Sequence, residues 1–317
     1  MLTRGREAQA RASPDTVLFP LPRCFVRAVF LLLPVDARLR CSEVSRAWRA
    51  LLADTSFYER LDLSVSSGCT RFSLPLLRAA VAKAGGQLRA VDVTGQPYMV
   101  GVVDILREII AANAATLTEL RVVDAGVYWS VEGVQALLLQ CSSPAFEVLE
   151  AAVSVHQDPQ VARSMLRNEP PFQALRLRRL LMDVPTDVAS FCSDLRVHAS
   201  LEQLYLHGVA LDTAVAMGAV VDACIAINLR RLDLRRCRVV PAALPELTRL
   251  VAAGALRALM VANHNNNVEV FDEAHESTRL FVAAVRASAM SVLRLVNVGV
   301  VPENVAEAAA FINASTQ

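Results

Sequence analysis

A short pattern, apolar-x-x-apolar-x-apolar, recurs nine times between residues 57 and 296. The copies begin at Tyr58, Leu88, Leu117, Phe146, Leu177, Leu201, Leu229, Leu256 and Met290. Successive copies start between 24 and 34 residues apart. Repetition at this period is typical of a solenoid, in which each unit buries its apolar face by stacking on its neighbours. The pattern therefore predicts a chain that grows by stacking repeats and has no single central core.

Within each copy, the last two apolar positions enclose one further residue, which is polar in copies such as Leu232-Asp233-Leu234. Alternation with a period of two predicts a strand with one buried face. Stretches with helical spacing of apolar residues lie between the copies, for example in residues 214–224. Pro241 before one such stretch and Gly254 after it mark helix ends. Strands and helices should therefore alternate, which predicts an α/β fold.

A repeat of about 28 residues with a strand, a turn, a helix and a return resembles the long, helix-containing leucine-rich repeat. The resemblance implies a horseshoe of parallel strands with outer helices, and an Asn or Cys shortly after the strand. Cys237 and Asn263 stand at such positions, whereas Ala151 replaces a core leucine. We expect a repeat domain of about nine units at 57–300, followed by a capping helix at 301–317.

The residues before the repeats contain two short helical stretches of apolar residues, separated at Pro34. In order, they include Leu21-Pro22, Val29, Leu33-Pro34, Leu39, Val44 and Trp48-Arg49. This order and spacing resemble the F-box, so the chain as a whole is similar to F-box proteins with C-terminal leucine-rich repeats. Cys24, Ala37 and Arg38 depart from the family pattern. We expect a flexible tail at 1–17 and an F-box-like helical domain at 18–56.

The F-box resemblance implies a partner and a role for each end of the chain. The F-box would bind the Skp-type adaptor, and through it a cullin, in an SCF-type E3 ubiquitin ligase, while the repeats hold a protein substrate. The adaptor-binding residues would be Leu21, Pro22, Phe25, Val29, Leu33, Pro34, Val44 and Trp48.

An alternative is a stand-alone leucine-rich-repeat scaffold for protein interactions, whose N-terminal helices only cap the repeats. The two hypotheses differ in one observable property of the N-terminal helices. Phe25, Val29 and Leu33 stay exposed in the isolated chain under the first hypothesis, and are buried against the first repeat under the second.

Strand residues that alternate with core residues must point to the other face of the sheet, which is concave in a horseshoe. The column between the core positions runs Asp62, Asp92, Arg121, Glu150, Leu181, Tyr205, Asp233, Met260 and Arg294. An exposed tyrosine and leucine beside arginines have the composition of a recognition centre. We therefore expect the substrate to contact Leu181, Tyr205, His207, Arg231, Asp233 and Arg235. Tyr128 and Trp129 would form a small contact patch or cover the repeat beneath them.

Composition excludes several classes of function. A net charge of +1 gives no basic surface for nucleic acid or an anionic membrane, and no apolar run is long enough to span a bilayer. Seven cysteines without a C-x-x-C pair predict reduced thiols in a cytoplasmic or nuclear protein.

The sequence also contains few signs of catalysis. Nucleotide-binding, nucleophile-elbow and zinc-protease motifs are absent from it. His207 between Asp183 and Asp233 could act as a base, but a solenoid strand offers no enclosed pocket. We expect no enzyme activity, no catalytic residue, no metal and no cofactor.

Overall fold

The computed structural model describes residues 22–69, 72–96, 101–123, 128–141, 146–155, 159–183, 187–263, 270–271, 276–296, 298 and 303–314. Its contacts divide the chain into two compact units. The first unit contains Met1–Gly126 and Cys141–Glu147, and the second contains Val127–Gln140 and Val148–Gln317. The predicted tail at 1–17 and Leu21 lie outside the described residues.

The first unit begins with three consecutive helices, which are α1 (Arg23–Leu32), α2 (Val35–Val44) and α3 (Arg46–Leu51). Strands and helices then alternate as β1 (Arg60–Asp62), α4 (Leu74–Ala84), β2 (Ala90–Asp92), α5 (Val102–Ala112) and β3 (Glu119–Arg121). The three strands pair in parallel without a register shift, so that Leu61, Val91 and Leu120 form one row. All three of these side chains are buried.

Local sequence signals set the bounds of α4. The Ser73 side chain accepts a hydrogen bond from the backbone N–H of Leu76 and caps the first turn, which contains Pro75. Gly85 ends the helix with a φ of +58°, a left-handed conformation that glycine adopts without steric cost. The helix therefore ends at this glycine.

The second unit continues the same alternation of strands and helices. Its elements are β4 (Trp129–Ser130), α6 (Val131–Gln140), β5 (Val148–Val155), α7 (Pro159–Leu166), β6 (Leu175–Asp183), α8 (Val188–Leu195), β7 (Gln203–His207), β8 (Ala210–Leu211), α9 (Ala214–Ala226), β9 (Arg231–Val239), α10 (Leu244–Ala252), β10 (Ala258–Asn263), α11 (Glu276–Ala287), β11 (Val292–Val296) and α12 (Glu303–Ala314). The sheet order is β5-β6-β7-β9-β10-β11, and all of these pairs are parallel. The two-residue strands β4 and β8, which pair with β5 and β9, were not predicted.

Each copy of the repeated pattern coincides with one strand, and the chain has an α/β fold with parallel strands, as predicted. In the second unit, the predicted column Leu181, Tyr205, Asp233, Met260 and Arg294 is correct, because these residues are register partners from β6 to β11. Among the described residues, no helix is long and apolar enough to cross a membrane.

The predicted column is wrong at β5. Leu181 lies opposite Ser154, and Glu150 lies opposite Arg176. The strand contains the apolar-x-apolar pattern twice, at 149–151 and again at 153–155, and a register shift separates the two between Ala151 and Ala152. Periodicity alone selected the first copy, while β6 aligns its core residues Leu180 and Met182 with the second.

Polar side chains at two strand ends tie neighbouring repeats together. The buried Asn263 amide accepts a hydrogen bond from the N–H of Val239 at 3.0 Å and donates one to the carbonyl of the same residue at 3.1 Å. The Cys237 thiol donates to the carbonyl of Leu206 at 3.1 Å. The sequence predicted these two residues shortly after strands, whereas both lie within the last three residues of β9 and β10. Each bonds to backbone groups that burial removes from water.

Candidate functional site

Phe30 fixes one side of α1 to the first unit. It is buried and packs edge-to-face on Trp48 and Phe57, with ring centroids 5.3 and 6.4 Å away. Arg27 adds an ion pair to Asp54 at 3.1 Å, and its guanidinium lies 5.1 Å from the centre of the Phe57 ring. Sequence reasoning did not single out Phe30 as this anchor, although helical spacing places it away from Phe25 and Val29.

Arg38 fixes α2 to the first unit. The side chain is buried, donates a hydrogen bond to the carbonyl of Phe57 and lies 5.9 Å from the centre of the Tyr58 ring. Burial lowers the pKa of Arg38. This departure from the F-box pattern therefore has a structural role, because it joins α2 to the segment that leads into β1.

The side of α1 away from Phe30 exposes apolar side chains, which we call the N-terminal apolar face. It consists of Phe25, Val29 and Leu32, which helical spacing puts on one side of α1, and Phe25 and Leu32 are 62% and 85% exposed. Leu31 and Val44 are exposed as well. Of the other expected adaptor-binding residues, Pro22 is exposed, while Leu33, Pro34 and Trp48 are half-buried. Leu31 and Leu32 were missed by the sequence analysis, although they continue the apolar run.

Tyr205 is the centre of a second cluster of side chains, on the face of the sheet opposite the buried Leu204 and Leu206. The tyrosine was expected to be exposed, and this expectation is wrong, because only 6% of it is accessible. The guanidinium groups of Arg231 and Arg235 lie 5.4 and 6.0 Å from its ring centre and cover it. Its hydroxyl donates a hydrogen bond of 2.6 Å to Gln203 Oε1.

Tyr128 packs edge-to-face on Tyr205, with ring centroids 6.4 Å apart, and is 40% exposed. Burial, with the neighbouring Tyr205, raises the pKa of Tyr128 to about 12. Trp129 is buried in β4. The aromatic pair was predicted either to form a small contact patch or to cover the repeat beneath it. Both residues cover neighbouring side chains, and only Tyr128 is also accessible to a partner.

Asp233 was also expected on an accessible surface and is instead completely buried. Its two carboxylate oxygens accept hydrogen bonds from Arg235 Nε at 3.0 and 3.1 Å. Burial lowers the pKa of Arg179, and the positive charge of the nearby Arg231 acts in the same direction. Positive charges are therefore close together around Tyr205. We call Tyr128, Arg179, Tyr205, Arg231 and Arg235 the Tyr205 cluster.

The two remaining predicted substrate residues border this cluster. Leu181 is half-buried and is the register partner of Tyr205 on β6. His207 is half-buried on β7, opposite Arg235 of β9. Four of the six predicted residues thus occupy the surface or its border, whereas Tyr205 and Asp233 lie beneath it.

The corresponding face of the first unit has its charges paired. Arg60 forms an ion pair with Glu119 at 2.9 Å, and Arg121 contacts both Asp92 and Glu119. With Asp62, these side chains line a shallow depression across β1, β2 and β3. With three carboxylates and two arginines, this surface has a slight excess of negative charge.

No family model matches the chain, and no curated protein matches it. In the part of the chain that the structure describes, no cluster of histidine, cysteine and carboxylate side chains could hold a metal ion. The two surfaces defined above supply apolar contact area, aromatic rings and positive charge. Surfaces with these properties are typical of sites that bind other molecules.

Proposed function

We propose that the protein is the substrate-recognition subunit of an SCF-type E3 ubiquitin ligase. Its N-terminal apolar face would bind the Skp-type adaptor, which links it to a cullin, and its sheet would bind a protein substrate. In this role the chain does no chemistry itself and raises the concentration of the substrate near the transferase, in the cytoplasm or the nucleus. The observation that carries the proposal is the exposure of Phe25, Val29 and Leu32 on a helix fixed from behind.

The exposed side chains of the N-terminal apolar face are unfavourable in water. Contiguous exposed apolar side chains are typical of surfaces that a partner covers. A ten-residue helix alone would be marginal in water, but Phe30 and Arg27 hold α1 in place before any partner arrives. Binding then costs little backbone conformational entropy, since α1 is already helical and held in place.

The identity of the partner comes from the resemblance to the F-box. The spacing of Leu21-Pro22, Leu33-Pro34 and Trp48-Arg49 is that of helices that dock on Skp-type adaptors. Of the three residues that distinguish the two hypotheses, Phe25 and Val29 are exposed and favour this one over a stand-alone scaffold, whereas Leu33 is half-buried and does not decide between them.

The same proposal makes the parallel sheet a leucine-rich-repeat solenoid. Two observations support it: the strands coincide with the repeated pattern, and Cys237 and Asn263 bond to the preceding repeat.

The test is a binding measurement between the purified chain and a Skp-type adaptor. Phe25→Asp and Val29→Asp place a charge on the apolar face, while Val215→Asp changes an exposed valine on α9 of the second unit and is the control. We expect the parent and the control to bind alike, and each face variant to bind at least about tenfold more weakly, which corresponds to about 1.4 kcal/mol. Circular dichroism verifies that every variant is folded.

Two results would contradict the proposal. A folded parent chain that does not bind the adaptor leaves the stand-alone repeat scaffold as the better hypothesis. Equal binding by Phe25→Asp, Val29→Asp and the parent would show that the apolar face is not the contact surface.

A further inference from the structure

Charge is balanced differently on the two sheet faces. In the first unit, Arg60 and Arg121 are paired with Glu119 and Asp92. In the second unit, the Tyr205 cluster brings three arginines together around one tyrosine ring.

Two carboxylates are described near these three arginines, and both are already engaged. Asp233 is buried and accepts hydrogen bonds from Arg235 Nε. Glu202 acts on the charge of Arg179, but it is ion-paired with a fourth arginine, Arg178, at 2.7 Å. Among the described side chains, neither of these two carboxylates forms an ion pair with Arg231.

Strand register fixes the spacing of these arginines. Arg179, Gln203 and Arg231 are successive register partners on β6, β7 and β9. Parallel strands lie about 4.8 Å apart, so the backbone positions of Arg179 and Arg231 are about 10 Å apart. Arg235 lies two residues beyond Asp233 on the same face of β9. An extended peptide segment spans about 10 Å in about three residues, so this spacing is within the length of one short segment.

The aromatic rings organise the arginines for binding. The guanidinium groups of Arg231 and Arg235 both lie within about 6 Å of the Tyr205 ring centre, a distance at which stacking restricts their motion. The structure describes no carboxylate that forms an ion pair with Arg231. Nearly half of the Arg235 side chain remains accessible although its Nε is bonded to Asp233. Both guanidinium groups can therefore donate two hydrogen bonds to an incoming carboxylate.

We propose that the Tyr205 cluster binds an acidic segment of a partner protein, whose aspartate or glutamate carboxylates contact Arg231 and Arg235 while an apolar side chain packs on Tyr128. The assignment deepens the proposed function and rests on it only in naming that partner as the ligase substrate. A nucleic acid or an anionic membrane fits less well, because the chain as a whole has a net charge of only +1.

The test selects random peptides displayed on phage against the immobilised full chain, followed by anisotropy measurements on a selected peptide. Arg231→Gln removes the positive charge and the paired N–H donors of the guanidinium. Arg231→Lys keeps only the charge. Arg60→Gln is the matched control, because it removes an accessible arginine from the corresponding face of the first unit. We expect the parent to enrich aspartate and glutamate. The selected peptide should bind Arg231→Gln about tenfold more weakly, Arg231→Lys at an intermediate strength, and Arg60→Gln as the parent does.

Three results would overturn the inference: selected peptides without an excess of acidic residues, equal weakening by Arg231→Gln and Arg60→Gln, and no enrichment at all. A phosphoserine version of the selected peptide that binds more than about tenfold tighter would replace the carboxylate with a phosphate as the ligand. All of these peptide-binding measurements are made without the adaptor. Failure here therefore leaves the adaptor test untouched, and failure of the adaptor test leaves the acidic peptide site in place without its role in a ligase.

Discussion

At the scale of single residues, the side chain of Asn263 shows how a strand end is fixed to the repeat before it. Its amide satisfies both the N–H and the carbonyl of Val239, and a methyl group could satisfy neither. Asn263→Ala should therefore lower the free energy of unfolding by about 1–3 kcal/mol, since two buried polar groups lose their partner. Urea denaturation measures this loss, and hydrogen exchange at the Val239 amide should accelerate.

The matched control for this substitution is Gln87→Ala. Gln87 is exposed, so the variant removes the same carboxamide group from a side chain that water can solvate. The backbone N–H of this residue still donates to the carbonyl of Ala84. The free energy of unfolding should change by no more than about 0.5 kcal/mol. An equal effect of the two substitutions would show that the bonds to Val239 contribute nothing measurable.

The residue types predicted which positions form the candidate site, but they did not predict how exposed these positions are. The sequence placed Tyr205 and Asp233 on the polar face of the sheet, which is correct. Arg231, Arg235 and Tyr128 cover Tyr205, and Arg235 bonds to Asp233, so both residues are buried. Strand periodicity gives the direction of a side chain and says nothing of the length and conformation of its neighbours. Burial by long side chains therefore could not be predicted from the pattern.

At the scale of elements, α1 has two faces with different energetic roles. Phe30 packs on Trp48 and Phe57, so Phe30→Ala should destabilise the first unit by about 3–5 kcal/mol through the cavity it leaves. Phe25→Ala on the exposed face should change stability by no more than about 0.5 kcal/mol. Urea unfolding followed by tryptophan fluorescence measures both, because Trp48 reports on the anchor. Similar losses for the two variants would contradict this division of α1.

The register of a strand could be predicted where the strand contains the apolar-x-apolar pattern only once. The strand β7 contains a single Leu204-Tyr205-Leu206 unit, and its register partners were predicted correctly. The strand β5 contains two equivalent units, so its register depends on β6 and on the shift at Ala151, which are tertiary features. Two N-terminal helices were predicted from apolar spacing, whereas the structure has three, because Ser45 separates α2 from α3 and caps α3. The anchoring of Arg38 was not predicted, because a buried arginine requires a carbonyl at the right place.

At the scale of the whole molecule, the two proposed surfaces use different forces and belong to different units. The N-terminal apolar face relies on the burial of Phe25, Val29 and Leu32, which salt does not screen. The Tyr205 cluster relies on Arg231 and Arg235, whose attraction for carboxylates weakens as the Debye length falls from about 10 Å at 0.1 M salt to about 3 Å at 1 M.

Raising sodium chloride should therefore separate the two binding events. Calorimetry at both concentrations should show the dissociation constant of the acidic peptide rising by about tenfold, while that of the adaptor changes by less than about twofold. A salt-insensitive peptide complex would mean that the arginines do not provide its affinity. A strongly salt-sensitive adaptor complex would move the adaptor contact away from the apolar face and towards charged residues such as Arg27 and Arg40. Because each partner is measured alone, the two outcomes test the two surfaces independently.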